Sequence, residues 1–553
     1  MNTQTQTYEI KKDRFTRFLE IIPAILTYII ILIPIIFSFL KPTWVAFFII
    51  AFDLYWLFRA INYGVLVVSS YRKMRRDRKV DWISRLNRLS DNPNKYLKDL
   101  EDEANKISVF DRTERKQEVF SLNKAIGEGK LLDWKEVFHI IVLPTYKESI
   151  EVLSLSIDSI LNDNYPNDKK IIIMGFEERA GEEVYEKSKI LEAKYKDKFK
   201  DFISSFHPDG IVGELKGKGA NCDWVLRRVL QKYLKTHLEI NKDSILVSIF
   251  DSDTRVTENY FSYLTYKYLI TPERNRRGYQ PIPLYLNNIW DVPMINRIVA
   301  FSSSFWQMVE SCRPHRLTNF SSQSLPYKLL EDIDFLDVSI VSEDSRHYYR
   351  AFFKYAGDYA VVPLYMPVYM DAVLAETLGM TLVNQYKQKR RWAWGIEHFP
   401  YLVKELLKHK EISFLERMEL FLRMFIGNIS WSTSSLILLF AGWLPFLANP
   451  YFGLTVVGFN APRMARIILG LAWVGLIIST FITFMLLPKR PAKYKKIKIL
   501  EMIVMWLLSP ISAIFFGSIP AIDAQTRLMA GKQLGFWVTP KIQVKNQKSK
   551  IKN

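Results

Sequence analysis

The amino-acid sequence predicts an α/β domain of the Rossmann type, cytosolic and inserted between transmembrane α-helices. The 553 residues exceed what one domain ordinarily uses, so two or more structural units are expected. Residues Ile21–Leu40 form an uncharged run of twenty, long enough at about 1.5 Å per residue to cross a hydrocarbon core of about 30 Å. Between residues 137 and 396, short apolar strand patterns alternate with helical ones, which indicates a mostly parallel sheet with covered faces.

Composition and charge exclude several classes of protein. Residues of the AVILMFWYC set make up 49% of the chain, which is too large a share for a disordered protein. The net charge of +19 suits either nucleic acid or an anionic membrane surface. Because the basic residues cluster beside apolar runs, membrane topology accounts for much of this charge, and no nucleic-acid partner is expected. Two cysteines, Cys222 and Cys312, cannot build a disulfide framework, which indicates a reducing compartment and no structural zinc.

Five apolar runs are the candidate membrane segments. They are Ile21–Leu40, Trp44–Ser70, Met424–Ala448, Ile467–Leu487 and Ile499–Ile519. Six basic residues lie in Tyr71–Lys79 and six in Lys489–Lys498, so both flanks are predicted to be cytoplasmic. Three crossings after the soluble domain would put the basic tail outside, so one run is expected not to cross, and Pro510 makes Ile499–Ile519 the candidate. We therefore expect a multi-pass protein of the cell membrane with a cytoplasmic α/β domain.

These runs divide the chain into six predicted regions. They are a transmembrane hairpin (1–70), a basic, charged helical linker (71–136), the α/β domain (137–396), an amphipathic helix at the membrane interface (397–420), a C-terminal transmembrane bundle (421–523) and a cytosolic tail (524–553). The amphipathic helix is predicted because apolar residues recur after Phe399 at helical spacing, with lysines and Glu405 opposite. Ordinary core packing is the alternative for that helix.

The first half of the α/β domain alternates strands and helices. The predicted strands are Phe138–Pro144, Lys170–Met174 and Ile245–Phe250, and the predicted helices are Ser149–Asn162, Glu182–Lys196 and Ala220–Tyr233. Sheets of this kind bind ligands beyond the carboxyl ends of their strands. Polar side chains that follow these strands are therefore candidates for a site.

Two motifs of the α/β domain suit a phosphate-bearing ligand. Asp251 and Asp253 directly follow the third strand, where two carboxylates could hold Mg²⁺ or Mn²⁺ against a diphosphate. Taken alone, a D-x-D tripeptide is more often a solvated turn. Lys216–Asn221 brings two lysines and two glycines to a predicted helix start, where backbone N–H groups favour phosphate. A flexible basic loop is the alternative there.

Two later motifs could carry a reaction. Glu343 and Asp344 precede the predicted helix Arg346–Lys354, where a buried carboxylate could accept the proton of an attacking hydroxyl or simply cap the helix. The segment Gln388–Trp392 offers an amide, cations and an aromatic ring, which could contact a diphosphate and stack on a sugar. A basic stretch beside the membrane is the alternative for it.

In this order and spacing, the motifs resemble those of the membrane-embedded family-2 glycosyltransferases, the group that contains cellulose and hyaluronan synthases. The matching residues are Val142–Glu148, Lys216–Asn221, Asp251-Ser252-Asp253, Glu343-Asp344 and Gln388-x-x-Arg391-Trp392. Residues Phe536–Lys541 are similar to the F-x-V-T-x-K gating loop of cellulose synthases. The resemblance covers about residues 137 to 400 and implies a GT-A-like fold for the α/β domain.

The resemblance implies a role for each motif. Donor binding would involve Thr145, Tyr146, Glu148 and Lys218, and the metal ion, Mg²⁺ or Mn²⁺, would be held by Asp251 and Asp253. Asp344, with Glu343 beside it, would be the general base. The diphosphate and the acceptor would contact Gln388, Arg391 and Trp392, and the gating loop would contribute Phe536, Val538, Thr539 and Lys541.

One departure from the family pattern follows the second strand. Where the family usually has an Asp-Asp pair that reads the nucleotide base, this chain has Glu177, Glu178 and Arg179. Either glutamate is a candidate substitute, and an altered base or donor preference is the alternative.

The implied reaction is an inverting attack by an acceptor hydroxyl on a nucleotide sugar, with a UDP-sugar as the first expectation. The leading interpretation is a processive polysaccharide synthase that exports its product through its own membrane helices. The alternative is transfer of a single sugar to a lipid acceptor at the cytosolic membrane face. A catalytically silent scaffold and a transporter without transferase chemistry are further classes, and the intact carboxylates Asp251, Asp253 and Asp344 argue against the scaffold.

Overall fold

A computed structural model describes residues 13–535 of the chain. These residues form two compact units. The sheet unit comprises Ser70–Leu284 and Glu310–Asp371, and the helical unit comprises residues 13–69, Tyr285–Val309 and residues 372–535.

The sheet unit is built on eight strands. They are β1 (Phe138–Thr145), β2 (Lys170–Glu177), β3 (Asp201–His207), β4 (Ile245–Ile249), β5 (Arg255–Val256), β6 (Arg277–Leu284), β7 (Gln323–Pro326) and β8 (Ala360–Tyr369). Their order across the sheet is β3-β2-β1-β4-β7-β6-β8-β5. Strands β3, β2, β1 and β4 run parallel, whereas β7 is antiparallel to both β4 and β6. The sheet is therefore parallel in its first half and mixed in its second.

Helices account for most of the remaining chain. Up to β8 they are α1 (Arg14–Leu40), α2 (Pro42–Asp77), α3 (Trp82–Asp91), α4 (Pro93–Lys106), α5 (Val109–Gly127), α6 (Ile150–Leu161), α7 (Glu183–Tyr195), α8 (Lys218–Trp224), α9 (Gln231–Thr236), α10 (Tyr260–Ile270), α11 (Met294–Ser311), α12 (Tyr327–Asp332) and α13 (Glu343–Lys354). After β8 they are α14 (Leu378–Ala393), α15 (Phe399–Lys408), α16 (Phe414–Phe440), α17 (Leu444–Ala448), α18 (Val456–Leu486), α19 (Ile497–Val504), α20 (Ser509–Ala513) and α21 (Ile519–Met529).

The alternation of strands and helices predicted from the sequence is confirmed. Strands β1 and β2 cover the first two predicted strands, and β4 covers the third except for Phe250; each is mostly apolar and buried at every position. Helix α6 begins where Ser149 caps it by accepting from the Val152 backbone N–H. The predicted fold class, an α/β domain inserted in the sequence between long apolar helices, is thus correct.

The region predicted as a linker packs into the core of the sheet unit. Trp82 of α3 contacts Tyr263 and Tyr266 of α10, with ring centroids 4.5 and 5.0 Å apart. The Tyr263 hydroxyl donates to the buried carboxylate of Asp77 at 2.9 Å. Helices α3 to α5 therefore share the apolar core of the sheet instead of forming a solvated spacer.

Five helical segments of the described chain are long and apolar enough to cross a membrane. They are Arg14–Leu40, Pro42–Asp77, Phe414–Ala448, Val456–Leu486 and Ile497–Met529. In the helical unit, α1, α16 and α21 are joined by buried polar groups, because the Thr27 hydroxyl lies 2.9 Å from Ser432 Oγ and 2.6 Å from Gln525 Oε1. Such bonds satisfy polar side chains inside an apolar bundle.

The last of these segments is irregular. A 3₁₀ turn at Met505–Leu508 and a π-helical turn at Ile514–Ser518 separate α19, α20 and α21. Pro510 lies in the first turn of α20, where its missing N–H costs no helical bond. This is the segment predicted not to cross. The helix continues through Pro510 and changes type on either side of it, and its topology remains a prediction.

Candidate active site

The parallel half of the sheet brings three predicted site residues to one edge. Thr145 is the last residue of β1 and Glu177 the last residue of β2, and both are buried. After β4, the Phe250 N–H still donates to Val142 O at 3.1 Å, so Asp251 leaves the sheet at the same edge. Parallel strands end together, which is why residues far apart in sequence share this edge.

Lys218 joins the two acidic motifs of the site. Its ammonium lies 2.9 Å from Asp251 Oδ1 and 3.4 Å from Asp344 Oδ1, although 93 residues of sequence separate the two aspartates. The same ammonium donates to Ser321 Oγ at 3.2 Å. The predicted donor-side lysine, metal-site aspartate and general base therefore form one cluster.

The electrostatics of this cluster follow from its burial and its charges. Burial of Lys218 opposes its charge, but Asp251, Asp344 and Glu343 outweigh burial and raise the pKa of the ammonium well above its ordinary value. The lysine is therefore charged throughout the neutral range. A fixed cation between two carboxylates is suited to receive a diphosphate when one arrives.

Glu343, the neighbour of Asp344, is buried. It is the first residue of α13, and its side chain is buried against the start of α8. A Cβ at Gly219 would lie 3.1 Å from the Glu343 side chain, so glycine permits α8 and α13 to approach this closely. Asp344, next along the helix, is about a quarter exposed and faces Lys218. Glu343 is thus a packing partner, and Asp344 is the accessible carboxylate.

Asp253 is more deeply placed than Asp251. Its side chain is buried, and Asp253 Oδ2 accepts the backbone N–H of Asp371 at 2.9 Å, just after β8 ends. Asp371 in turn pairs with Arg255 at 3.8 Å. The second aspartate of the motif is therefore fixed by the mixed half of the sheet, while Asp251 remains partly accessible.

Asp251 and Asp253 could bind a divalent ion only together with a substrate phosphate. Within residues 13–535, no group of three or more His, Cys, Asp or Glu side chains is placed to hold a metal ion. Mg²⁺ commonly uses one or two carboxylates together with substrate phosphates. Asp251 and Asp253 would supply two hard oxygen ligands of that kind if they hold the ion, and a diphosphate would have to complete the coordination.

The predicted nucleotide-binding residues gather around an aromatic ring. The Arg179 guanidinium lies over the Tyr146 ring, 4.4 Å from its centroid, and forms an ion pair with Glu177. The Tyr146 N–H donates to Glu148 Oε2 at 2.7 Å, which fixes the turn after β1. Glu178 instead accepts the Tyr185 hydroxyl at 2.8 Å. Of the two candidate substitutes for the Asp-Asp pair, Glu177 is the one beside Tyr146.

A cleft adjoins this group. It contains about 290 Å³ of empty space, part of it open to solvent, and Glu177 and Arg179 line one side. His207 and Glu214 line another side and are hydrogen-bonded to each other at 2.9 Å. Glu177 and Arg179 are thus among the residues that line a partly open cleft.

In the helical unit, α14 carries the remaining predicted residues. Gln388 Oε1 accepts from Gln385 Nε2 at 3.0 Å, and Gln385 accepts from the buried Asn296 at 3.1 Å. The Trp392 ring lies 5.9 Å from that of Tyr285 and has the Lys389 ammonium 4.6 Å from its centroid. Arg391 lies in the last turn of the helix. The gating-loop residues Phe536, Val538, Thr539 and Lys541 lie outside the described residues.

Sequence reasoning missed the residues that the antiparallel strand β7 brings to the cluster. Gln323 Nε2 donates to Asp344 Oδ1 at 3.4 Å, and Ser321 accepts from Lys218. The buried Gln280 holds this segment by accepting the Phe320 N–H at 2.7 Å. Nothing in the Ser-Ser-Gln sequence signals a site; only its pairing with β4 places it there.

Many solved structures match the chain, and two of them illustrate how low the similarity is. A mannosyltransferase from Pyrobaculum calidifontis, in complex with GDP-Man and Mn²⁺, is 13% identical, with 68% of this chain and 86% of that one covered and a TM-score of 0.35. TarS from S. aureus, in complex with UDP-GlcNAc, is 13% identical, with 72% and 93% covered and a TM-score of 0.34. No curated protein matches the sequence.

A family model gives the assignment. The model described as glycosyl transferase family group 2 matches residues 246–486. This range holds Asp251, Asp253 and Asp344 of the sheet unit, together with Gln388 and Trp392 of α14. Residues 246–486 of this chain are thus similar to the glycosyltransferases of family group 2.

Proposed function

We propose that this protein transfers a sugar from a nucleotide-sugar donor to an acceptor hydroxyl, with inversion at the anomeric carbon. The observation that carries the proposal is the position of Lys218, in contact with both Asp251 and Asp344 at the carboxyl edge of the parallel strands. One cation next to a metal-binding carboxylate and a general base is the arrangement that displacement of a diphosphate requires.

Asp344 is proposed as the general base. It accepts the proton of the acceptor hydroxyl as the oxygen attacks the anomeric carbon. The bond from that carbon to the diphosphate breaks on the opposite side, and its electron pair leaves with the diphosphate. Because the sugar passes directly from donor to acceptor, no covalent enzyme intermediate forms.

Lys218, Asp251 and Asp253 are proposed to receive the leaving group. When bound at the two aspartates, Mg²⁺ or Mn²⁺ would neutralise the diphosphate and favour its departure. The Lys218 ammonium, 11% exposed, would contact the diphosphate directly. When the donor is bound, the Lys218 ammonium would contact the diphosphate in place of Asp344. The Asp344 carboxylate would then be free to accept a proton.

Tyr146 and Glu177 are proposed to bind the nucleotide base, with Thr145 and Glu148 shaping the turn. The support is the stacking of Arg179 on Tyr146 and its ion pair with Glu177 beside an open cleft. We propose a UDP-sugar as donor, on the family resemblance.

Gln388, Arg391 and Trp392 are proposed to serve the diphosphate and the acceptor, with the segment Phe536–Lys541 as a gating loop. On this basis we propose a processive polysaccharide synthase in the cell membrane, with its sheet unit in the cytoplasm. The five apolar helices support a membrane location.

Transfer of a single sugar to a lipid acceptor is the second candidate. One observation favours it, the small number of candidate spans among residues 13–535.

Product analysis separates these candidates. The purified protein in nanodiscs would be incubated with a panel of radiolabelled sugar nucleotides and Mg²⁺ or Mn²⁺, with and without lipid extract. A long labelled polymer supports the processive synthase, and a single-sugar glycolipid supports the second candidate. No incorporation from any donor would contradict both.

A further inference from the structure

One carboxylate of the helical unit accepts three hydrogen bonds from two helices. Asp523 of α21 accepts the Tyr386 hydroxyl at 3.0 Å and the Arg390 guanidinium at 2.9 Å on Oδ2. On Oδ1 it accepts Arg527 Nε at 2.7 Å. Two of these donors belong to α14 and one to α21, so the carboxylate joins the two helices.

Asp523 lies in an apolar helical segment, where a charged side chain is unusual. It lies in the segment Ile497–Met529, which is apolar enough to cross a membrane, and a carboxylate in such a segment is costly unless it is paired. Two arginines and a tyrosine hydroxyl satisfy it, and removal of the carboxylate would strand the partly buried Arg390. We therefore looked for a specific function of the Asp523 carboxylate in the contacts of its partners.

The residues bonded to Asp523 lie among those proposed to contact the acceptor. Tyr386 and Arg390 are one helical turn apart on α14, and Gln388, Arg391 and Trp392 belong to the same two turns. Asp523 therefore fixes the rotation of α14 about its axis, because two donors four residues apart must face the same carboxylate. No atom of Asp523 needs to touch a substrate for this.

We propose that Asp523 is a positioning residue that holds α14 in the orientation in which Gln388, Arg391 and Trp392 meet the diphosphate and the acceptor. The proposal rests on the proposed function of those three residues. Small displacements of a positioned group can cost about 100-fold in rate. Loss of the carboxylate should accordingly reduce transfer roughly 10- to 100-fold.

The test compares D523N with D291N in nanodiscs. Asp291 is a matched control because it also accepts from a lysine, Lys493 at 2.7 Å, and from a tyrosine, Tyr494, in the helical unit but not on α14. We expect D523N to lower kcat for transfer while calorimetric binding of the nucleoside diphosphate with Mn²⁺ stays within about threefold. D291N should keep wild-type kcat, and D523E should recover part of the loss because it restores the acceptor.

A second readout follows α14 without relying on activity. Hydrogen–deuterium exchange of residues 378–393 should rise in D523N but not in D291N. A double variant, D523N with R390Q, should lose no more transfer than the worse single variant, because both changes break the same bond.

The outcomes separate this proposal from the proposed function. Unchanged exchange in residues 378–393, or unchanged kcat in D523N, overturns the positioning role. Equal losses of transfer in D523N and D291N would assign both residues to general stability and also overturn it. Wild-type protein that transfers no sugar refutes the proposed function instead, and the exchange measurement then decides the role of Asp523 alone.

Discussion

At the scale of single residues, the site depends on which charges are left accessible. Asp253 and Glu343 are buried, and Asp253 accepts the Asp371 N–H, whereas Asp251 and Asp344 keep about a quarter of their side chains exposed on either side of Lys218. The buried members fix the geometry, and the exposed ones are available to ligands. This difference in exposure is the reason that Asp344, and not the adjacent Glu343, is proposed as the general base.

Lys218 should decide donor affinity. In the K218M variant, donor binding should weaken roughly 10- to 100-fold, since a hydrogen bond between charged groups contributes about 1.5 to 3 kcal/mol. Calorimetric titration with a nucleoside diphosphate and Mn²⁺ measures this. K232M on α9 is the control because Lys232 is exposed. Wild-type affinity in K218M would remove the lysine from the donor site.

The buried His347 should make the protein sensitive to acid. Burial lowers the pKa of its imidazole to about 3, so the folded state keeps the ring neutral while the unfolded chain takes up a proton below about 6.5. The free energy of unfolding is therefore unaffected by His347 above pH 6.5. It decreases as the pH drops from 6.5 towards 3, because only the unfolded chain binds the proton there. At pH 5 the loss amounts to about 2 kcal/mol.

The H347Q variant should lose less stability on acidification than wild type, because glutamine does not bind a proton in this pH range. The apparent melting temperature of wild type should fall between pH 7 and pH 5 by more than that of H347Q, measured by intrinsic fluorescence in the same detergent. Identical falls in the two proteins would show that His347 does not titrate as expected.

At the scale of elements, close approach between α8 and β2 places Lys218. Asn221 of α8 is fully buried and donates to the Gly175 carbonyl at 2.6 Å. A Cβ at position 175 would lie 2.6 Å from Asn221 Oδ1 and 3.1 Å from Val225. Glycine in β2 thus lets the helix that carries Lys218 approach the sheet.

G175A should therefore displace α8. We expect a loss of about 1 to 3 kcal/mol in the free energy of unfolding and weaker donor binding, because overpacking forces the helix away. G127A is the matched change, since nothing lies within 4 Å of its new Cβ. Thermal melting with and without nucleoside diphosphate reports both effects. Equal melting of G175A and G127A would contradict the packing argument.

The elements also show what the sequence could and could not predict. Strands β1, β2 and β4 are mostly apolar, so their burial and the edge at Asp251 were predictable. Strand β7, Gln-Ser-Leu-Pro, has neither apolar alternation nor length, and its place between β4 and β6 comes from tertiary pairing alone. For the same reason, the contacts of Gln323 and Ser321 with the cluster could not be predicted. Glu177 is proposed over Glu178 because of its ion pair with Arg179, and no local sequence pattern encodes the position of Arg179.

At the scale of the whole molecule, the distribution of basic residues predicts topology. Segments Tyr71–Lys79 and Lys489–Lys498 should both be cytoplasmic, which leaves the loop around Pro450 outside and the tail inside. The irregular helix around Pro510 supports an interrupted final segment. The N-terminal and C-terminal ends should therefore lie on the same side.

Cysteine accessibility tests this arrangement. In a C312S background, P450C should react with an impermeant maleimide in intact cells, and K545C should react only after the cells are permeabilised. Cys222 is buried and serves as the internal control. Labelling of K545C in intact cells would mean that the final segment crosses.

Asp344, Lys218 and Asp251 are proposed to form a glycosyl-transfer site. Release of nucleoside diphosphate from a sugar nucleotide, by wild type, D344N and the surface control D358N, tests it most directly. Asp358 is about half exposed and pairs with Arg277. We predict that D344N lowers release by about 10² to 10⁴ while donor affinity stays close to that of wild type, and that D358N matches wild type. Release by D344N at the wild-type rate would contradict the account, because the reaction would then proceed without the proposed base.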